Sequence, residues 1–129
     1  NDGLFLLHTI GVVDKPTPPN KFINKYIFPG GVCPSLSQIV KPIEKTGLIV
    51  ADTETLIRHY DKTLLSWLNR FMAKKDLVKD MFDEKFVKMW SFYLASCAAA
   101  FRYRDLVVFQ LQIVKNFNAA RPTRDYIYS

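Results

Sequence analysis

The chain contains a continuous apolar run, residues 4–7, that is followed at once by His8 and Thr9. A short unbroken apolar run predicts a strand buried on both faces, and such strands are typical of parallel sheets. Parallel neighbours are joined through crossover connections, which are usually helical. We therefore expect residues 4–10 to form a buried strand within an α/β fold.

The rest of the chain alternates predicted helices with two further strands. Asn20 is suited to cap a short helix that ends near residue 27, because its side-chain oxygen accepts hydrogen bonds from free backbone amides. Asp52 or Thr53 is expected to cap a long helix that ends near residue 72, and Asp83 is expected to cap another. The predicted elements are strands over 4–10, 48–51 and 106–114 and helices over 20–27, 35–44, 52–72, 75–81 and 83–102.

The predicted helix over 83–102 is apolar nearly all round, which is typical of a helix that packs on two sides or lines a lipid cavity. Residues 106–114 alternate apolar side chains with Gln110 and Gln112, which predicts a strand with one wetter face. Residues 116–129 are expected to form a tail. The apolar positions of the helix are Phe86, Met89, Trp90, Phe92, Tyr93, Leu94, Cys97, Ala98 and Phe101.

The formal net charge is +6 and 49% of the residues are hydrophobic. A basic chain favours nucleic acid or anionic lipid as a partner, but no basic run with interleaved aromatic residues selects between them. No run of 18 apolar residues predicts a membrane-spanning helix. Cys33 and Cys97 have neither metal-ligand spacing nor a disulfide pattern, so we expect no metal site.

Five motifs carry further information. Residues 7–11 are LHTIG, and residues 25–36 are KYIFPGGVCPSL, in which Gly30 and Gly31 predict a sharp turn and Pro34 with Ser35 predicts a helix start. The others are HYDKTLLSWLNRF at 59–71, KMWSFYLASCAAAFR at 88–102 and VFQLQ at 108–112. In order and spacing, over about residues 4–115, these motifs closely resemble the cyclopropane-fatty-acyl-phospholipid synthase and mycolic acid cyclopropane synthase family.

The resemblance implies the C-terminal portion of a Class I S-adenosylmethionine-dependent methyltransferase, a Rossmann-like α/β domain. About three strands with several helices are expected, the last strand antiparallel to the others. Residues 1–115 would belong to the catalytic domain and residues 116–129 to a tail. In the family a glycine-rich loop upstream holds S-adenosylmethionine (SAM), whereas the five glycines here form no G-x-G cluster. We therefore expect the SAM-binding part to be missing, and its residues stay unassigned.

The resemblance also implies a catalytic site that holds a bicarbonate ion. In the family the ion is bound by a histidine, the main chain of the isoleucine two residues on, a tyrosine, and an upstream cysteine and glutamate. His8, Ile10 and Tyr60 match the first three. An imidazole N–H, an amide and a phenol are donors suited to a small anion. The residues by themselves leave a packing role open for His8 and Tyr60.

The implied reaction transfers a methyl group from SAM to a cis double bond of an unsaturated acyl chain. The resulting carbocation closes to a cyclopropane ring when a proton is lost to bicarbonate. Aromatic faces stabilise a desolvated cation by about 2 kcal/mol. Six aromatic residues are candidates for this, with ordinary core packing as the alternative: Tyr26, Phe28, Trp67, Trp90, Phe92 and Tyr93.

The implied partners are the acyl chains of membrane phospholipid and an anionic membrane surface, with no nucleic acid. A cytoplasmic location, peripheral to the inner face of the membrane, follows from the same resemblance. An open edge on the first strand would favour self-association into a homo-oligomer. Two alternatives stay open: a relative that adds a methyl branch, and a non-catalytic lipid-binding or assembly module that keeps the fold without the reaction.

Overall fold

The computed structural model describes residues 2–128, and its fold is α/β. One sheet contains β1 (Leu4–Val12), β2 (Ile49–Leu56) and β3 (Leu106–Val114). The helices are α1 (Lys21–Tyr26), α2 (Leu36–Lys45), α3 (His59–Ala73), α4 (Lys75–Met81) and α5 (Glu84–Tyr103). Two short 3₁₀ turns, Phe117–Ala119 and Asp125–Ile127, follow β3.

The strand order is β1-β3-β2, and β3 is antiparallel to both neighbours. β1 and β2 therefore run in the same direction with β3 between them, which confirms that the last strand opposes the other two. The central position suits β3, because a strand with neighbours on both sides and helices on both faces needs apolar side chains at nearly every position. Val108 and Leu111 of β3 are fully buried, and each such burial contributes roughly 1.5–3 kcal/mol.

Helices cover the two faces of the sheet. On one face, Val107, Phe109, Leu111 and Ile113 pack against Leu36, Ile39, Val40 and Ile43 of α2. On the other face, Val108 packs with the buried residues Leu64 of α3 and Leu94, Ala98 and Phe101 of α5. Side chains alternate along a strand, so even-numbered positions of β3 face α3 and α5 while odd-numbered positions face α2.

The prediction of a fully buried first strand is wrong for the described chain. Leu4, Phe5 and Leu6 are each about half exposed, at 49%, 57% and 53%. The reason is that β1 has one strand neighbour, β3, and lies at the edge of the described sheet. Its pairing is also antiparallel, whereas the apolar run suggested parallel neighbours.

The expected cap of the long helix at Asp52 or Thr53 is also wrong. β2 continues through both residues to Leu56, and α3 begins only at His59. The N-cap of α3 is Arg58, which adopts a left-handed conformation with φ of 62°. The side chain of Asp52 binds Arg124, more than 70 residues away in sequence, so its polar group serves a tertiary contact and not a helix end.

Other local predictions are confirmed. The Asn20 side chain accepts a hydrogen bond from the Ile23 amide at 2.9 Å, and that of Asp83 accepts one from the Phe86 amide at 2.6 Å. Ser35 is the N-cap of α2, and Pro34 lies just outside that helix. Its carbonyl accepts a hydrogen bond from the amide of Val12, which ties the loop to the end of β1.

The segment after β3 lies against the sheet. Arg124 donates to the Asp52 carboxylate of β2 and to the carbonyl of Thr53. Gln112 of β3 donates to the Tyr126 hydroxyl. These contacts place the tail on the sheet face that also carries the even-numbered residues of β3. Ser129, at its end, lies outside the described residues.

Candidate functional site

His8 lies in β1, on the same face of the sheet as α3 and α5 but not beneath them. It pairs with Gln110 of β3, which pairs on its other side with Glu54 of β2, so the three form one row across the sheet. Nδ1 of His8 and Nε2 of Gln110 are 3.0 Å apart. The side chain of His8 is exposed in the described chain. It is therefore held by one neighbour and open to a further partner.

The backbone N–H of Ile10 points away from β3, toward the outer edge of β1. Val12 donates its amide to Pro34 on the outer side of β1, and Val13 donates to Asp105 on the β3 side, at 3.0 Å each. Amide directions alternate along a strand, so Ile10 shares the outward direction of Val12. Within residues 2–128 no strand pairs with that side of β1 at Ile10. This amide can therefore donate to a group that lies beside the outer edge of β1.

Tyr60 lies in the first turn of α3 and is half-buried. Its ring is 5.2 Å from that of Phe101 and 5.8 Å from that of Trp67. It packs against the cluster that contains Val108, which pairs with Ile10 in the sheet. The structure thus places Tyr60 and Ile10 on the same sheet face around Val108. No hydrogen bond within the described part of the chain joins Tyr60 to His8 or Ile10.

Tyr93 of α5 lies close to Tyr60. Burial raises the pKa of the Tyr93 phenol to about 12, with further contributions from the Cys97 thiol and from Tyr60. Burial, above all, also raises the pKa of Cys97. Both groups therefore stay protonated near neutral pH and make this part of the helix surface uncharged. The sequence suggested Tyr93 only as one of six aromatic candidates.

Aromatic rings form a continuous row that begins at the end of α4 and continues along α5. Phe86 stacks on Phe82 at 4.4 Å and on Trp90 at 6.0 Å, and Trp90 is 5.1 Å from Tyr93. Phe28, in the Gly-Gly loop, extends the row with a ring 6.2 Å from Tyr93. Of the remaining candidates, Phe92 contacts Phe22 at 4.8 Å, Tyr26 contacts Phe22 at 5.5 Å and Trp67 packs on Tyr60. These rings form an almost continuous aromatic surface.

An ion pair next to Tyr60, between the buried Asp61 and the exposed Arg102, was missed by sequence reasoning. Asp61 is 5% exposed, and its Oδ2 accepts a hydrogen bond from Nε of Arg102 at 2.7 Å. That bond lowers the pKa of the Asp61 carboxyl. Tyr60 and Asp61 thus contact the adjacent residues Phe101 and Arg102, so two neighbouring contacts join the start of α3 to the end of α5. Asp61 and Arg102 both lie in the motifs at residues 59–71 and 88–102, but the sequence does not show that these two residues contact each other.

Two kinds of feature are absent from the part of the chain that the structure describes. Across residues 2–128, no group of three His, Cys, Asp or Glu side chains is arranged to bind a metal ion. Over the same residues, none of the helices combines the length and apolar character needed to cross a bilayer.

Comparison with known proteins identifies a family. Residues 1–111 match the sequence model described as mycolic acid cyclopropane synthetase. The chain is 40% identical over 110 residues to the cyclopropane-fatty-acyl-phospholipid synthase of Escherichia coli strain K12, which covers 85% of this chain and 28% of the relative. It is 42% identical over 96 residues to tuberculostearic acid methyltransferase UfaA1 of Mycobacterium tuberculosis, which covers 73% of this chain and 22% of the relative.

A solved structure agrees. The mycolic acid cyclopropane synthase CmaA1 complexed with SAH and CTAB superposes with a TM-score of 0.78 at 29% identity, covering 88% of this chain and 44% of that one. The present chain therefore spans less than a third of the curated relatives, at 28% and 22% of their lengths.

Proposed function

The chain belongs to the mycolic acid cyclopropane synthetase family, as its motifs predicted, and we propose on that basis that it is the C-terminal part of the catalytic domain of a SAM-dependent lipid methyltransferase. The proposed reaction converts a cis double bond in an unsaturated acyl chain of a phospholipid into a cyclopropane ring. Residues 1–115 would contribute to catalysis, and residues 116–129 would form the C-terminal tail.

One observation carries the proposal: donors of three different kinds lie on one face and edge of the sheet. His8 and Ile10 are two residues apart at the edge strand, and Tyr60 packs against the Val108 cluster next to them. The outward amide of Ile10 has no strand partner within residues 2–128, and the His8 ring keeps one nitrogen beyond its contact with Gln110. Such donors fit a small oxyanion such as bicarbonate.

The chain fits SAM less well. Its positive-φ glycines are Gly30 and Gly47, in loops before and after α2, and neither follows a strand in a G-x-G pattern. A SAM site normally uses such a loop at a helix start. We therefore leave the SAM-binding residues unassigned. We propose that the residues of this chain bind the anion and contact the acyl chain.

When bound, SAM supplies an electrophilic methyl group and bicarbonate supplies a base for one proton. His8, the Ile10 amide and Tyr60 would hold and orient the anion by hydrogen bonds to its oxygens. The aromatic row on α5 would exclude water and stabilise positive charge on the acyl chain through its ring faces, by about 2 kcal/mol per desolvated contact. Tyr93 suits that role because its phenol stays neutral, with a pKa of about 12.

The test uses the longer enzyme that we propose contains this chain. Tyr60→Phe removes one donor and keeps the ring packed on Phe101, so we expect a folded protein whose turnover on unsaturated phospholipid vesicles falls by about 10² or more. Tyr128→Phe is the matched control, because Tyr128 is 85% exposed and lies in the tail. SAM affinity should be nearly unchanged in both variants.

His8→Ala should lower turnover similarly with little loss of stability, because the His8 side chain is exposed in the described chain. The double variant should lose less than the product of the single effects, because both residues would support one anion. Near wild-type turnover of a well-folded Tyr60→Phe enzyme would show that Tyr60 only packs, and the assignment would be abandoned.

A second candidate is methyl branching of the acyl chain. The similarity to tuberculostearic acid methyltransferase UfaA1 favours this candidate. Methyl branching and cyclopropane formation begin with the same methyl transfer and differ only in the steps that follow. Proton NMR of the extracted lipid distinguishes the two, since a cyclopropane ring methylene has its own upfield resonances. A non-catalytic lipid-binding module would yield neither product.

The proposed substrate also sets the partners. Acyl chains of phospholipid are reached at a membrane, and the net charge of +6 favours an anionic surface. We therefore propose peripheral binding at the cytoplasmic face of the membrane, with no nucleic acid as partner. We also propose that this chain by itself can form a homo-oligomer, because β1 has one unpaired edge within residues 2–128.

A further inference from the structure

We propose that Gln110 is a positioning residue that sets the tautomer and orientation of His8. The inference rests on the proposed function for its catalytic consequence, but the tautomer can be measured without any activity. It follows from the row His8–Gln110 across β1 and β3 and from the 3.0 Å separation of Nδ1 and Nε2.

The chemistry of the two side chains determines the direction of this hydrogen bond. The amide nitrogen of glutamine is a donor with no acceptor capacity, so Nδ1 of His8 must accept. A neutral imidazole carries one N–H, and when Nδ1 accepts, the proton is on Nε2. Gln110 therefore leaves Nε2–H as the donor of His8, which is the atom available to an oxyanion.

The position of Gln110 makes it a stable support. It lies in the central strand, is partly buried, and is flanked by Phe109 and Leu111, which are 2% and 0% exposed. A strand fixed on both faces holds its side chains more firmly than the edge strand that carries His8. The sequence alone placed Gln110 on a wetter face without a partner.

Gln112 provides a matched control within the same strand. It is two residues further along β3, on the same face, and is partly buried as well. Its partners in the sheet are Leu6 and Asp52, and its side chain donates to the Tyr126 hydroxyl, so it has no contact with a histidine. The same substitution can therefore be made at Gln112 without changing any contact of His8.

The first measurement is ¹⁵N NMR of the imidazole groups in this chain above pH 8. The chain has two histidines, His8 and His59, and a His59→Gln variant assigns the signals. We expect His8 to show the Nε2–H tautomer. Gln110→Glu replaces the donor by an acceptor and should move the proton to Nδ1, whereas Gln112→Glu should change nothing. Gln110→Leu serves if the glutamate variant fails to fold, and its His8 should show a mixture of tautomers.

The second measurement is turnover of the same variants in the longer enzyme. Gln110→Glu should lower kcat about tenfold, the lower end of the range seen when the hydrogen-bond partner of a metal-binding histidine is removed, with KM for lipid nearly unchanged. Gln112→Glu should leave kcat unchanged.

The two measurements test the role of Gln110 separately from the catalytic role of His8. An Nδ1–H tautomer in the unmodified chain, or equal spectra for the Gln110 and Gln112 variants, would overturn the role of Gln110 whatever His8 does. Normal turnover of His8→Ala would overturn the catalytic assignment of His8, while the NMR result would still decide whether Gln110 sets its tautomer.

Discussion

Gly11 lies where β1 closely approaches Phe109 of β3 and the loop before α2, and replacing it with alanine should destabilise the protein. A methyl carbon there would lie 2.3 and 2.6 Å from two ring carbons of Phe109 and 2.7 Å from the carbonyl oxygen of Pro34. Phe109 is 2% exposed, so its ring has little space to move. The Pro34 carbonyl accepts the Val12 amide at 3.0 Å, so a shift of the loop weakens that bond.

The magnitude follows from these contacts. Forcing extra atoms into a packed core costs about 1–3 kcal/mol, and a weakened hydrogen bond adds about 1 kcal/mol. The lower entropy of the unfolded alanine chain offsets about 0.4–1 kcal/mol of this. We therefore expect Gly11→Ala to lower the free energy of unfolding by about 2 kcal/mol, or Tm by roughly 6–10 °C for a chain of this size.

The assay is chemical and thermal denaturation of this chain, with Gly3→Ala as the control, because a methyl group at Gly3 meets no atom within 4 Å. Gly3→Ala should change stability by less than about 0.5 kcal/mol. The double variant of Gly11→Ala with Phe109→Leu should be less destabilised than the sum of the single variants, since the smaller side chain relieves two of the three contacts. Equal midpoints for the Gly11 and Gly3 variants would show that the site accommodates a methyl group and refute the reasoning.

Two further predictions concern the tail and the surface charge. Arg124→Gln should release the tail and speed its cleavage by protease, and acid should act in the same way. The hydrogen bond from Arg124 lowers the pKa of Asp52 in the folded protein, so its stabilising effect is present above the unfolded pKa and is lost as pH falls through the folded pKa, below about pH 4. Cleavage that is independent of pH and of Arg124 would contradict this. The longer enzyme should bind anionic vesicles better than neutral ones, and less well as salt increases, because each basic residue near the surface contributes about 1 kcal/mol. Equal binding to both, unaffected by salt, would exclude an electrostatic contribution.

Much of the local structure was predictable because it depends on residues close in sequence. The caps at Asn20 and Asp83 each join a side chain to an amide three residues on, so the pattern of neighbouring residues contains the whole interaction. The alternation in β3 and the five family motifs were readable for the same reason, and the family they predicted is confirmed. The roles of His8, Ile10 and Tyr60 came from the family resemblance and stay predictions.

The tertiary structure decided what depends on residues far apart. His8 and Gln110 are 102 residues apart in sequence, and Asp61 and Arg102 are 41 apart, so no local pattern could pair them. The same holds for Asp52, which has the side chain of a good helix cap but lies in a strand paired with β3, where its carboxylate binds Arg124. β1 is exposed because it has only one strand neighbour in the described sheet. Its apolar run indicates a strand suited to burial, but it does not show which neighbouring strands are present.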